Sequence, residues 1–210
     1  MSADADLAAI FQAERDLRAA EERLLGAPDK KLTALLTAAV REAKALDDRD
    51  EATLRLHRLA DLCAQVPGPK IADALLDILD DEDPAVRAEA ADALLDVGYA
   101  RYAEVARAIE RALDAGREGP VMEELPFFLA EIAEPSALPL IARFVKHPQK
   151  EVVAAAIEAL SELGDPEAIE ILETLVDDPR EVFLEGEDDD EATKGSLGEL
   201  ARDAIDSLGG

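Results

Sequence analysis

One stretch of the chain, residues 71–98, constrains the fold more than any other. It reads IADALLDILDDEDPAVRAEAADALLDVG, and its apolar residues follow a helical period on both sides of an acidic turn. Those before the turn are Ile71, Leu75, Ile78 and Leu79, and those after it are Val86, Ala90, Leu94 and Val97. Each set lies on one face of a helix. Asp83 suits a helix cap, Pro84 suits a first turn, and Gly98 is predicted to end the second helix. We therefore predict two short amphipathic helices.

Related segments recur along the chain. Residues 128–145, FLAEIAEPSALPLIARFV, align without gaps on residues 159–176, ALSELGDPEAIEILETLV, at an offset of 31. Gly98 and Gly164 lie 66 residues apart, which equals two repeats of roughly 33. A single helix pair cannot bury its own apolar face, so a repeat of this length predicts a stack of helix pairs.

The repeated motif resembles a HEAT repeat, particularly the bacterial type related to phycobilisome lyases. The resemblance rests on an acidic turn, Pro84, the pair Val86-Arg87, and an Ala-rich helix that ends in glycine, and it covers residues 71–98 and 135–178. It implies a solenoid in which the second helix of each pair lines the concave surface, where partners bind. Val152 and Val182 are not followed by arginine, so the sequence gives no basis for a regular ladder of Asp–Arg hydrogen bonds.

The predicted fold is all-α, a short right-handed α–α solenoid of about five helix pairs with an N-terminal capping helix. Residues 1–66 hold the capping helix, Asp4 to Leu25, and a degenerate first pair at 30–46 and 51–66. Residues 67–210 hold the clearer pairs, predicted at 70–98, 102–133, 135–163 and 166–208. Pro126 is expected to kink or break its helix, and Pro139 to do the same near the start of the next.

The last pair contains an acidic insertion at residues 177–193, DDPREVFLEGEDDDEAT. It is longer than the connection within any other pair, and its EDDDE run is typical of disordered segments. We predict that this insertion is mobile and dispensable for folding.

Charge limits the possible partners. The chain has 49 acidic and 22 basic residues, for a net charge of −27. Nucleic acids and anionic membranes need basic patches, so the sequence predicts neither as a partner. Two explanations remain open: the partner is basic, or the acidity keeps the protein soluble in a crowded or salty cytoplasm.

The sequence predicts a cytoplasmic monomer. No run approaches 18 apolar residues, and no basic segment precedes an apolar core at the N-terminus, so neither a membrane span nor export is indicated. The single cysteine, Cys63, excludes an internal disulfide framework. Because it aligns with Leu94, we expect it to be buried.

We predict no catalytic residue, no cofactor and no metal site. The turn at 67–70 has one glycine and does not form a phosphate loop. His57, Asp61 and Cys63 do not share a face, and His147 is expected to be solvated in a turn. The carboxylates of Glu185 to Glu191 lack the ligand order and the central glycine of a calcium loop. We favour a solvated flexible loop at these residues. The alternative that this acidic run attracts a basic surface stays open.

Superposing the repeats brings acidic residues into two columns on the second helices. The first column, two positions before Leu94, is Asp61, Asp92, Phe127, Glu158 and Asp206; the second, four residues later, is Gln65, Asp96, Glu131 and Glu162. Residues four apart share a helix face. We call these two columns the acidic stripe, and the predicted partner-binding residues are Asp61, Asp92, Asp96, Phe127, Glu131, Glu158, Glu162 and Asp206. Alternatively, the columns reflect only the many acids on exposed positions of this chain.

The predicted function is a non-catalytic protein-binding module with an acidic concave surface for a basic protein. Phe127, Phe128 or Phe183 would supply apolar anchorage. A sharper form is an inhibitor or immunity-type protein that masks a basic active site. Two alternatives remain open: an accessory lyase-like or cofactor-handling enzyme, as the resemblance to phycobilisome lyases implies, and a purely structural scaffold.

Overall fold

The computed structural model describes residues 3–184 and 193–209. Its helices are α1 (Ala3–Leu25), α2 (Asp29–Lys44), α3 (Arg49–Ala64), α4 (Pro69–Leu79), α5 (Pro84–Asp114), α6 (Pro120–Ile132), α7 (Ala137–Phe144), α8 (Lys150–Leu163), α9 (Ala168–Leu172) and α10 (Leu197–Gly209). A 3-10 helix, Glu173–Leu175, continues α9. The prediction of an all-α fold made of helical repeats is confirmed. The chain divides into two compact units, residues 1–97 and 98–210.

The first unit is built around α2, α3, α4 and the first part of α5. Helix α4 packs against both α2 and α3. The amphipathic pattern at 71–97 supplies much of the core, because its periodic residues point inward. Fully buried side chains include Leu36, Leu56, Ile71, Leu75, Ile78 and Leu94.

Helix α1 has no buried residue. Its apolar residues Leu7, Ile10 and Phe11 are 50–62% exposed, and near its end Glu21 pairs with Arg58 of α3 at 3.1 Å. The role of α1 as a cap stays a prediction.

The second unit is built from helix pairs in which the second helices stand side by side. Helix α8 packs between α6 and α10, and α7 packs against α6 and α9. The apolar faces meet in a core that includes Leu125, Leu129, Phe144, Ile157 and Leu160. This arrangement turns the opposite faces of α6, α8 and α10 outward.

The two glycines that close the aligned repeats have different roles. Gly164 ends α8 in the left-handed conformation at φ 67°, as predicted. Gly98 does not itself end the helix as predicted, because the first part of α5 continues past it to a kink at Arg101 (φ −146°, ψ 47°), where a second helix begins. Gly98 is buried, and a Cβ there would overlap the end of Ile132 and lie 2.7 Å from Phe128 Cζ. Close packing, not a turn, requires glycine here.

The internal prolines do not break their helices. Helix α6 runs from Pro120 to Ile132 with Pro126 buried inside it. Pro139 lies in the first turn of α7, where a backbone N–H is not needed. Of the two predicted outcomes, a break is therefore wrong at both positions, and a kink stays a prediction.

A β-hairpin that the sequence did not predict lies inside the last pair. Strand β1 (Glu181–Leu184) pairs antiparallel with β2 (Thr193–Ser196). Val182 is only 4% exposed, and backbone hydrogen bonds run from Leu197 to the Arg180 carbonyl (2.9 Å) and from Gly198 to the Asp178 carbonyl (3.0 Å). Residues 177–184 therefore have defined positions, which contradicts the prediction of a mobile insertion. The acidic run at 185–192 lies outside the described residues.

Candidate functional site

In the first unit, three residues of the acidic stripe lie together. Asp61, Asp92 and Asp96 line one groove of about 290 Å³, with Gln65 and Glu89 beside them. The carboxylates of Asp92 and Asp96 are exposed, whereas Asp61 is half-buried. The groove also contains Arg58, which pairs with Asp61 at 3.2 Å and with Glu21 at 3.1 Å. Part of the negative charge is thus neutralised at this end of the groove.

In the second unit, the stripe residues follow the exposed faces of α6, α8 and α10. Phe127 and Glu158 lie on adjacent helices and line a common groove. Glu131, Glu162 and Asp206 are exposed but do not line that groove. Glu131 accepts a hydrogen bond of 3.3 Å from the Tyr99 hydroxyl. Reduced hydration and the Glu131 carboxylate raise the pKa of Tyr99 above its ordinary value.

The groove shared by Phe127 and Glu158 has a volume of about 750 Å³ and includes residues outside the acidic stripe. We call it the hairpin groove, because β1 forms one of its walls. Its lining residues are Glu123, Glu124, Phe127, Glu151, Ala154, Ala155, Glu158, Val182, Phe183 and Leu200. The sequence columns missed Glu124, Glu151 and Leu200, because these residues stand at other positions of the repeat.

The three phenylalanines proposed as anchors are not equivalent. Phe128 is 7% exposed and packs in the core, so the prediction that it supplies an anchor is wrong. Phe183 is 69% exposed, and Phe127 is half-buried. The two available rings both line the hairpin groove.

His147 is buried, so the prediction that it is solvated in a turn is wrong. Its Nδ1 accepts a hydrogen bond from the Gln149 backbone N–H at 3.2 Å, and its Nε2 lies 2.9 Å from the Arg117 carbonyl. A carbonyl only accepts, so these partners assign the proton of the neutral ring to Nε2. The imidazole joins two successive turns and is a structural residue.

Further hydrogen bonds link segments that are one repeat apart. In the first unit, Arg49 donates to the buried Asp81 carboxylate (2.8 Å) and Thr53 donates to Asp83 (3.0 Å). In the second unit, the Gly119 N–H donates to the Gln149 side chain at 3.3 Å. The links differ chemically from repeat to repeat, as expected from the missing arginines.

Cys63 lies in the core, as its alignment with Leu94 predicted. Burial raises the pKa of its thiol to about 12, so the reactive thiolate is scarce at neutral pH. Among residues 3–184 and 193–209, no group of three or more His, Cys, Asp or Glu is placed to hold a metal ion.

We predict that a thiol reagent modifies native Cys63 far more slowly than the denatured chain, because the side chain is fully buried. Replacing Cys63 by alanine should lower the free energy of unfolding by about 1–2 kcal/mol through a small cavity. Reaction kinetics with and without denaturant, together with urea unfolding, measure both effects. Equal rates in the two conditions would contradict the buried position.

Comparisons with known proteins agree with the repeat character of the chain. Residues 127–185, from α6 to β1, match the family model of HEAT repeats. The resemblance to HEAT repeats is therefore confirmed for this part of the chain, and the bacterial, lyase-related affiliation stays a prediction. No protein of curated function matches significantly.

Three of the solved structures that the chain resembles are engineered proteins. A computationally designed armadillo repeat protein for modular peptide recognition is 14% identical, over 92% of this chain and 93% of that one, with a TM-score of 0.36. The designed armadillo repeat protein YIII(Dq)4CqI is 15% identical, over 90% and 98% of the two chains, with a TM-score of 0.39. A further engineered protein is 16% identical, over 90% and 87%, with a TM-score of 0.37.

In the described ranges, no helix is long and apolar enough to cross a membrane.

Proposed function

We propose that the protein is a non-catalytic protein-binding module whose acidic stripe binds a basic protein. The observation that carries the proposal is the exposure of the stripe. Its exposed acids are Asp92, Asp96, Glu131, Glu158, Glu162 and Asp206. Leu94, Leu129 and Leu160 on α5, α6 and α8 are fully buried, so on these helices the acids lie on the face opposite the core.

Electrostatics favours a cationic partner for such a surface. Like charges on neighbouring helices repel one another, and a basic partner relieves that repulsion while it gains attraction. Complementary charge also speeds the diffusional encounter, most strongly at low salt. The sharper form of the proposal is an inhibitor that covers a basic active site. In this proposal the protein acts as a monomer in the cytoplasm.

The proposal predicts that position, and not only net charge, determines binding. Glu158 and Glu162 belong to the stripe, whereas Glu170 and Glu173 are exposed acids on the first helix of the last pair. Changing Glu158 and Glu162 to lysine should slow association with a lysine- and arginine-rich peptide by about tenfold at low salt. High salt should reduce the effect, and stability should stay level or rise as self-repulsion falls. Stopped-flow association kinetics measure the rates.

The matched control changes Glu170 and Glu173 to lysine, which alters the net charge by the same amount. It should slow association only slightly. If both variants weaken binding equally, only the overall charge matters, and the stripe is not a binding surface.

A further inference from the structure

The hairpin groove combines an apolar floor with an acidic rim. Its floor consists of the apolar lining residues Ala154, Ala155, Val182 and Leu200, which are buried or half-buried. Two aromatic rings, Phe127 and Phe183, stand beside this floor. Four carboxylates surround it: Glu123 and Glu124 from α6, and Glu151 and Glu158 from α8. The groove therefore offers apolar contact along its length and negative charge at its edges.

Cations already occupy positions around this groove. Lys194 Nζ lies 5.5 Å from the centroid of the Phe183 ring and 3.9 Å from the Glu181 carboxylate. Lys150 Nζ lies 3.9 Å from Glu151 and donates a hydrogen bond to the Glu181 carbonyl. An ammonium within about 6 Å of a ring centroid is attracted by the π-electrons. The Phe183 ring thus already accepts a cation within the chain.

We infer that the hairpin groove binds an extended segment of the basic partner and holds an arginine side chain of that segment against Phe183. This inference rests on the proposed function and assigns its principal contact. The carboxylates select a positive charge, and the apolar floor takes the aliphatic stem of a long side chain. Pockets of about 300–1,000 Å³ enclose drug-sized ligands, so a groove of about 750 Å³ accommodates a short peptide segment.

Arginine fits this chemistry better than lysine. The planar guanidinium stacks on an aromatic ring and at the same time donates two parallel hydrogen bonds to a carboxylate. An ammonium is a compact, strongly hydrated charge that gains less from either surface. An acidic peptide is repelled by the four glutamates, and a purely apolar segment gains no electrostatic attraction from them.

The test compares two acetylated and amidated peptides, one of alternating arginine and alanine and one of alternating lysine and alanine. Titration calorimetry at low salt measures their affinities for the full chain. We expect the arginine peptide to bind more tightly. Changing Phe183 to alanine should weaken its binding by about five- to tenfold, with a smaller loss for the lysine peptide. Because Phe183 is 69% exposed, this variant should keep its fold.

Matched controls separate the groove from other surfaces. Phe11→Ala removes a ring that is 54% exposed in the other unit and should leave affinity unchanged. Glu158→Gln should weaken the arginine peptide more than Glu162→Gln, an exposed acid one turn away that does not line the groove. NMR of the bound peptide provides a readout without any mutation, since protons stacked on Phe183 should show ring-current shifts to high field.

The outcomes distinguish this inference from the proposed function. If Phe183→Ala binds like Phe11→Ala and the arginine protons show no ring-current shift, the groove inference is wrong. In that case, slower association of the variant in which Glu158 and Glu162 are changed to lysine would still support the stripe as a binding surface. If neither peptide binds the unmodified chain, or if the Glu170 and Glu173 control weakens binding equally, the proposed function itself is wrong.

Discussion

Replacing Gly198 by alanine is expected to lower the free energy of unfolding by about 2–3 kcal/mol, within the range for overpacked sites. Gly198 lies near the start of α10 and is buried. A Cβ there would lie 2.5 Å from the Val176 carbonyl oxygen and 3.2 Å from the Asp178 carbonyl oxygen. Both obstacles are backbone atoms, so no side-chain rotation relieves the overlap. The N–H of Gly198 also donates a hydrogen bond to the backbone carbonyl of Asp178, which limits any shift of the helix.

A second glycine in the same helix provides the control. Gly209 has no heavy atom within 4 Å of the position of a Cβ. Its replacement by alanine should be neutral or should stabilise by up to about 1 kcal/mol, the usual helix preference for alanine over glycine. Urea unfolding followed by circular dichroism compares the two variants. Equal stability of the Gly198 and Gly209 variants would show that the backbone at 176–178 moves aside easily.

The helices were predictable because their apolar periodicity determines which face is buried. The pattern at Ile71, Leu75 and Ile78 predicted α4, and the buried side chains confirm its face. The role of a glycine was harder to predict. Gly98 and Gly164 occupy equivalent places in the repeat, yet only Gly164 has a positive φ. A repeat pattern cannot tell a glycine that turns the backbone from one that admits a neighbouring helix.

Part of the candidate site was predictable, because the apolar periodicity of a helix also determines which of its residues are exposed. The acids of the stripe follow the helical period, so their exposure follows from the burial of the opposite face. The hairpin groove was not predictable, because β1 and β2 have four residues each and stand in a connection that no other repeat shares. Short strands leave little periodic signal. Phe183 was named as an anchor, but its position beside Phe127 depends on the hairpin.

The connection before the hairpin is also central to the stability of the second unit. The Asp178 carboxylate accepts hydrogen bonds from the Arg180 backbone N–H at 3.0 Å and from Nη2 at 2.6 Å. Arg180 Nη1 reaches the carbonyl of His147 in the preceding turn at 3.3 Å. The Arg180 carbonyl accepts the N–H of Leu197. Asp178 therefore orients an arginine that ties the fifth pair to the fourth.

Replacing Asp178 by alanine should accordingly lower the free energy of unfolding at neutral pH by about 2–3 kcal/mol, the scale of a charge-assisted hydrogen bond. Asp177→Ala is the matched control, because this neighbour is exposed and should change stability by less than about 0.5 kcal/mol. Thermal and urea unfolding measure the difference. A deletion of residues 177–193 should be at least as destabilising as the Asp178 change, since it also removes the buried Val182.

Acid should abolish the effect of the Asp178 change. The hydrogen bonds from Arg180 hold the pKa of Asp178 below its ordinary value. Since the pKa is lower in the folded than in the unfolded chain, the stabilisation is present above the unfolded pKa of about 4. It is lost as the pH falls through the folded value. The stability gap between the original chain and Asp178→Ala should therefore be wide at neutral pH and narrow in acid. A gap that stays constant from neutral pH into acid would show that Asp178 acts through packing and not through its charge.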